Sequence, residues 1–168
     1  MPQLNAMEDF RRDVSYHLLR REDGTILLTA TLNDRFHDIL LEVVVDAGNL
    51  TIDSASVRFN KAPSRDCSNA TARLEQLAGL IIGPGLNRRV MELLGGVQGC
   101  GNLRTLLMGL LPLAMNVKAA VGISDEQDLL DTIHNRLVGA CAGYATPLIR
   151  DGNGEIIFPA GNVTAPSC

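Results

Sequence analysis

The stretch Ile39–Phe59, ILLEVVVDAGNLTIDSASVRF, decides the fold. Its opening run, ILLEVVVD, is rich in β-branched residues and nearly continuous in apolar character, the pattern of a strand covered on both faces. Asp46-Ala47-Gly48-Asn49 then carries turn chemistry. The next run, LTIDSASVRF, sets Leu50 and Ile52 in one phase and Ala55, Val57 and Phe59 in the other. Period-two alternation changes parity only when a residue is inserted or the strand bends, so a bulge or irregular bend is predicted near Asp53-Ser54.

Towards the N-terminus the same period continues. Val14, Tyr16 and Leu18 alternate with Ser15 and His17, and Asp23-Gly24 marks a turn. Ile26, Leu28, Ala30 and Leu32 then alternate with Thr29 and Thr31. Four strands joined by short turns predict an antiparallel meander. Towards the C-terminus the period becomes helical. Ala70, Leu74, Leu77 and Ala78 share a face of a segment from Ser68 to Ala78, which Gly79 stops. Leu86, Val90, Leu93 and Leu94 share a second face, closed by Gly95-Gly96. A third helix starts near Gly101 and breaks or kinks at Pro112. A fourth is predicted from a capping box, Ser124 to Gln127, with the stripe Leu130, Ile133, Leu137 and Cys141. The segment IRDGNGEIIF reads as a small hairpin before a loose end. Strands first and helices afterwards predict an α+β fold, an antiparallel sheet in the N-terminal half covered by helices from the C-terminal half. The 168 residues fit a single domain, 1–168, with a core over about 13–145 and a C-terminal hairpin and tail over 146–168.

Composition narrows the function classes. The formal charge is −4 and the sequence pI about 5.3. That balance argues against nucleic acid as a partner, because phosphate binding needs clustered cations. The pairs Arg11-Arg12, Arg20-Arg21 and Arg88-Arg89 read as solvated faces. The longest apolar stretch, Leu103 to Val121, is interrupted by Arg104, Thr105, Gly109, Pro112, Asn116 and Lys118. It reads as core helix and not as a membrane span. Met1 to Asp13 lacks the apolar region of a signal peptide, so a cytoplasmic location is expected by default. In a reducing compartment the four scattered cysteines, Cys67, Cys100, Cys141 and Cys168, are free, metal-bound or catalytic in preference to bridged. The sequons at Asn49, Asn69 and Asn162 are then accidental.

The cysteines carry the candidate chemistry. Cys67 and Cys100 each directly precede a predicted helix, where the helix dipole and free N–H groups favour a thiolate. Gly99 and Gly101 flank Cys100, and a thiol between glycines is open to close approach by a ligand. His37-Asp38 opens the third strand, and either could complete a zinc or iron site with the two sulfurs. Alternation sends these two side chains to opposite faces unless the strand start is irregular. Cys141 reads from periodicity as a core cysteine. Gly83-Pro84-Gly85 before a helix could cradle an anion, although a plain turn explains it as well. No Walker loop, GxGxxG, GxSxG or HExxH motif occurs, so nucleotide, serine-hydrolase and zincin readings have no support.

Two resemblances attach to these residues. The run from RFHDILLEVVVD through APSRDC to GVQGCGNLRTLL resembles an uncharacterised bacterial family, a domain of unknown function. The resemblance aligns His37-Asp38, Cys67, Gly99-Cys100 and the ACAGY segment around Cys141 with the family's pattern, and so implies that Cys141 is a third site cysteine. Asn102 stands where that pattern usually has His. More remotely, the order strands, loop cysteine, helix, cysteine, helix is similar to the iron–sulfur scaffold family, which implies an IscU/SufU-like core. Cys67 and Cys100 match the second and third cysteine positions of that family, while its first cysteine is replaced in the region Arg35 to Asp38 and Gly99 replaces its histidine.

The leading expectation is a metal- or sulfur-handling protein in which His37, Asp38, Cys67, Cys100 and Cys141 are the candidate ligands and zinc or an iron–sulfur cluster is the cofactor. An accessory enzyme or substrate-binding protein for small organic acids, with His37 as proton shuttle, is the alternative. A binding module with structural cysteines is the third. A protein partner or homo-oligomer is compatible with each, and whether the chain is an enzyme stays open.

Overall fold

The computed structural model describes residues 9–139 and 142–157. Contacts divide the chain into two compact units, one through Lys118 and one from Ala119.

In the first unit, strands β1 (Arg12–Arg20), β2 (Thr25–Asp34), β3 (Asp38–Asp46) and β4 (Ile52–Lys61) form an antiparallel sheet in the order β1-β2-β3-β4. The α+β class and the meander are as the alternation predicts. The turn between β1 and β2 has Gly24 at φ 84°, and the Asp23 carboxylate accepts from the Thr25 N–H at 2.9 Å. The parity change in β4 is a real register shift: Val44 pairs with Ser54 and Val45 with Ile52, leaving Asp53 as the extra residue.

One face of the sheet is the core. Ile26, Leu28, Ala30 and Leu32 of β2 and Ile39, Leu41, Val43 and Val45 of β3 are buried. The other face is only partly covered, with Leu27, Leu40 and Val44 half-buried and Leu19 exposed. The expectation that both faces of β3 are covered is therefore corrected. Helices lie on one side of a meander, and the continuous apolar run came from Leu40 and Val44 on the open side.

The covering layer begins with a 3-10 turn, Arg65–Ala70, followed by α1 (Thr71–Leu74) and a second 3-10 turn, Glu75–Leu77. The predicted helix from Ser68 to Ala78 is thus a broken one. Ser64 caps it early, its Oγ accepting from the Asp66 N–H at 3.1 Å. Ala70, Leu74 and Leu77 are buried as the stripe requires, but Ala78 is exposed. Beyond Gly79 the chain runs along the start of β4. The Gly79 N–H donates to the Ile52 carbonyl, the Ile52 N–H to the Leu80 carbonyl and the Ile82 N–H to the Leu50 carbonyl, at 2.8, 2.8 and 2.9 Å. This pairing satisfies backbone groups that an edge strand would otherwise expose.

Helices α2 (Leu86–Leu94) and α3 (Gly101–Leu110) follow, then a 3-10 turn at Leu111–Leu113, where Pro112 interrupts the helix, and α4 (Ala114–Ala119). α3 buries Leu103, Leu106, Leu107 and Leu110, an i, i+3, i+4, i+7 stripe, against β1 and β2. Gly109 lets the helix approach β1, since a Cβ there would overlap the Tyr16 ring.

The second unit holds α5 (Glu126–Arg136), a 3-10 turn at Ala142–Tyr144 and the hairpin β5 (Ile149–Arg150) and β6 (Ile156–Ile157). The hairpin is as predicted. The cap is not: Asp125, one residue later than Ser124, caps α5 by accepting from the Asp128 N–H at 2.9 Å. A carboxylate here both caps and faces the positive end of the helix dipole, which a serine does not. Among the described residues no helix is long and apolar enough to cross a membrane.

Candidate functional site

Two features converge on the first turn of α3. The first is a cavity of about 300 Å³ lined by Cys67, Cys100, Asp66, Asn69 and Gln98 among others. Cys100 is the N-cap of α3, in extended conformation and with no side-chain cap bond, so the helix's first N–H groups are left without a side-chain cap. Cys67 is not at a helix start as predicted. It is inside the 3-10 turn that Ser64 caps, with its N–H directed to the Ser64 carbonyl at 3.3 Å. Both thiols are free and half-buried. Gln98, on the rim, accepts from the Arg73 guanidinium.

The glycines around Cys100 have unequal reasons. Gly99 has an extended backbone with φ −98°, so left-handed geometry does not explain it. Its Cα instead packs against the Leu94 backbone carbonyl, where a Cβ has no room. Gly101 meets only the far end of Arg104, at 4.0 Å. The reading that both glycines clear space for a ligand is corrected at Gly99, which is required by the tight link from α2 to α3.

The second feature is Asp34, the one charged side chain in the core among the described residues. It ends β2 in the inward phase of Ile26, Leu28, Ala30 and Leu32, opposite Arg12 of β1. Its Oδ1 accepts from the Phe36 and His37 N–H groups at 2.7 and 2.8 Å, and its Oδ2 from Arg12 Nε at 2.7 Å. Lys61 Nζ donates to the Asp34 carbonyl at 2.7 Å. Burial works against the charge, but the Phe36 N–H, Arg12 and His37 outweigh it and hold the carboxyl well below the usual carboxylate range. His37 Nδ1 lies 3.1 Å from Oδ1. An ionised carboxylate only accepts, so Nδ1 carries the proton and Nε2 is the nitrogen left for other contacts. Arg12 also donates to Asn102 Oδ1 at 3.1 Å and lies 5.6 Å above the Phe10 ring, which stacks on Phe36. Asn102 thereby ties the sheet end to α3, two residues from Cys100.

The predicted ligands are thus only partly together. Cys67 and Cys100 share a cavity. His37 and Asp38 do not line it, and Asp38 Oδ1 instead accepts from Asn60 at 3.3 Å. Cys141 and Cys168 lie outside the described residues. Among the described residues no three His, Cys, Asp or Glu side chains come together as a metal-binding group. A closed zinc site takes four protein ligands and an iron–sulfur cluster is held by four cysteines, so the described residues supply only part of either set. The Gly83-Pro84-Gly85 loop has Gly85 at φ 87° as the N-cap of α2, a turn requirement, and lines a mostly apolar cavity with Ile82, Leu86 and Met115.

Comparison with known proteins gives a family and nothing finer. No curated protein and no solved structure matches the chain, and the likeness to the iron–sulfur scaffolds finds no support there. A family match covers residues 10–116, nearly the whole first unit, and includes Asp34, His37, Cys67, Cys100 and Asn102. Through this segment the chain belongs to the family described as Protein of unknown function (DUF2889).

Proposed function

We propose that the protein handles sulfur or a soft metal ion through the paired thiols Cys67 and Cys100. The observation that supports this reading is that two cysteines from separate elements open on one cavity. Cys100 stands at the start of α3, where no side chain caps the helix's first N–H groups, and a thiolate is the form of cysteine that binds metals and attacks sulfur. Thiolates select soft ions such as zinc and Cu(I), and donors beyond the described residues would complete a zinc or iron–sulfur site. Elemental analysis of protein purified without a histidine tag, followed by titration with Cd2+ as the probe, tests the reading. The expected result is about one Cd2+ per chain with a thiolate absorption band, lost in Cys67→Ser and in Cys100→Ser. Equal Cd2+ affinity in the wild type and both variants leaves the cysteines structural.

A second reading, an accessory or binding protein for small organic acids, draws on His37. Asp34 holds its Nδ1, which orients Nε2 for proton exchange. Succinate titration of the wild type and His37→Gln distinguishes it: saturable binding confined to the wild type favours this reading over the thiol one.

A further inference from the structure

We propose that the described residues of the second unit, 119–139 and 142–157, form a docking surface for a basic, amphipathic protein segment, centred on the apolar stripe of α5. Three observations carry this. First, none of the described residues of this unit is buried. Second, α5 is held by its polar side. Asp131 pairs with Arg150 of the hairpin at 2.6 Å, Asn135 Oδ1 accepts from the Leu148 N–H at 2.8 Å, and His134 Nε2 meets the Thr146 carbonyl at 2.8 Å. The apolar positions Leu130, Ile133 and Leu137 take no part in these bonds. Leu130 is 56 % exposed, and Ile133 and Leu137 are half-buried. Amphipathic helices ordinarily bury the apolar stripe and leave the polar one to water.

Third, the charge is one-sided. Residues 119–168 contain Asp125, Glu126, Asp128, Asp131, Asp151 and Glu155 against Arg136 and Arg150, so they hold the whole of the chain's formal charge of −4, and the first 118 residues are balanced. Like charge opposes a second copy on this face. Nucleic acid and anionic lipid carry the same sign and are opposed equally. A cationic segment with an apolar face covers Leu130 and neutralises the acidic first turn together. The unit also lies wholly beyond the family segment, which ends at residue 116.

The test uses the full chain and a fluorescein-labelled synthetic Leu–Lys amphipathic helix peptide, with fluorescence anisotropy as the readout. A peptide of the same composition, permuted to remove the apolar face, is the control. The expected result is saturable binding of the amphipathic peptide alone, about tenfold weaker in Leu130→Gln. Weakening is also expected in Glu126→Gln/Asp128→Asn but not in Asp53→Asn/Glu75→Gln of the first unit. Equal binding of both peptides, or undiminished binding by Leu130→Gln, overturns the proposal. So does sedimentation showing a dimer that Leu130→Gln dissociates, which assigns the face to a second copy.

Discussion

The Arg12 guanidinium and the Asp34 carboxylate are cross-strand partners on the buried phase of the sheet, with Nε and Nη2 both 2.7 Å from Oδ2. The Asp34 side chain is fully enclosed and that of Arg12 is 37 % exposed. Removing the partner of a buried charge costs more than the pair contributes, because the remaining charge stays desolvated. Solvent screening at Arg12 reduces that cost. Arg12→Ala is therefore expected to lower stability by about 1–3 kcal/mol in urea denaturation.

The same carboxylate sets a pH dependence. Its folded-state pKa is depressed below the unfolded value of about 3.9, so the unfolded state binds more protons as pH falls. The stabilisation is complete above about pH 4 and is lost as pH falls from there towards the depressed folded value. Stability curves of wild type and Asp34→Asn are expected to converge on acidification below about pH 4. A constant gap between them would remove Asp34 from the acid response.

At the α2–α3 link, Gly99→Ala places a methyl group against the Leu94 carbonyl, which is backbone and has little freedom to yield. A loss of about 1–3 kcal/mol is expected. Gly101→Ala, with open space around it, is expected to change stability by less than about 0.5 kcal/mol. Thermal melts of the two variants check the contrast, and similar losses in both would contradict it.

The contact of Gly109 with Tyr16 is testable as a pair. Gly109→Ala is expected to destabilise the wild type by about 1–3 kcal/mol and to cost much less in a Tyr16→Ala background, where the ring that a Cβ would overlap is gone. A double-mutant cycle with no coupling would mean the ring swings aside freely.

Core and surface positions should separate as widely. Leu106 is fully buried in α3, and Leu106→Ala is expected to cost about 2–5 kcal/mol. Val97 beside the cavity is fully exposed, and Val97→Ala is expected to change stability by less than about 0.5 kcal/mol.

Much of the sheet was legible because one phase is buried and a slip would expose it. The parity change around Asp53 is the clearest case, and it appears as the extra residue between Val45 and Val44. Asp34 was equally available and was missed: continuing the inward phase Ile26, Leu28, Ala30, Leu32 by two residues reaches a carboxylate, and the inward phase of β1 begins at Arg12. A charged residue on a buried phase demands partners, and that demand was the overlooked signal. Around Cys67 the 4-then-3 spacing of Ala70, Leu74 and Leu77 fits both a regular helix and the mixture of 3-10 and α turns that forms. Sequence spacing alone could not choose between them, so the cysteine was placed at a helix start. The link from Arg12 to Asn102 spans 90 positions and has no local signature.

The order of the elements along the chain has a consequence during synthesis. All four strands precede the helix that covers them, and about 40 residues separate the end of β4 from the start of α3. At roughly 5–20 residues per second, a ribosome exposes the apolar phase of β2 for about 2–8 s before α3, which packs on it, is made. The nascent chain is then a natural client for holding chaperones, and slowing translation between Lys61 and Gly101 should lower its soluble yield.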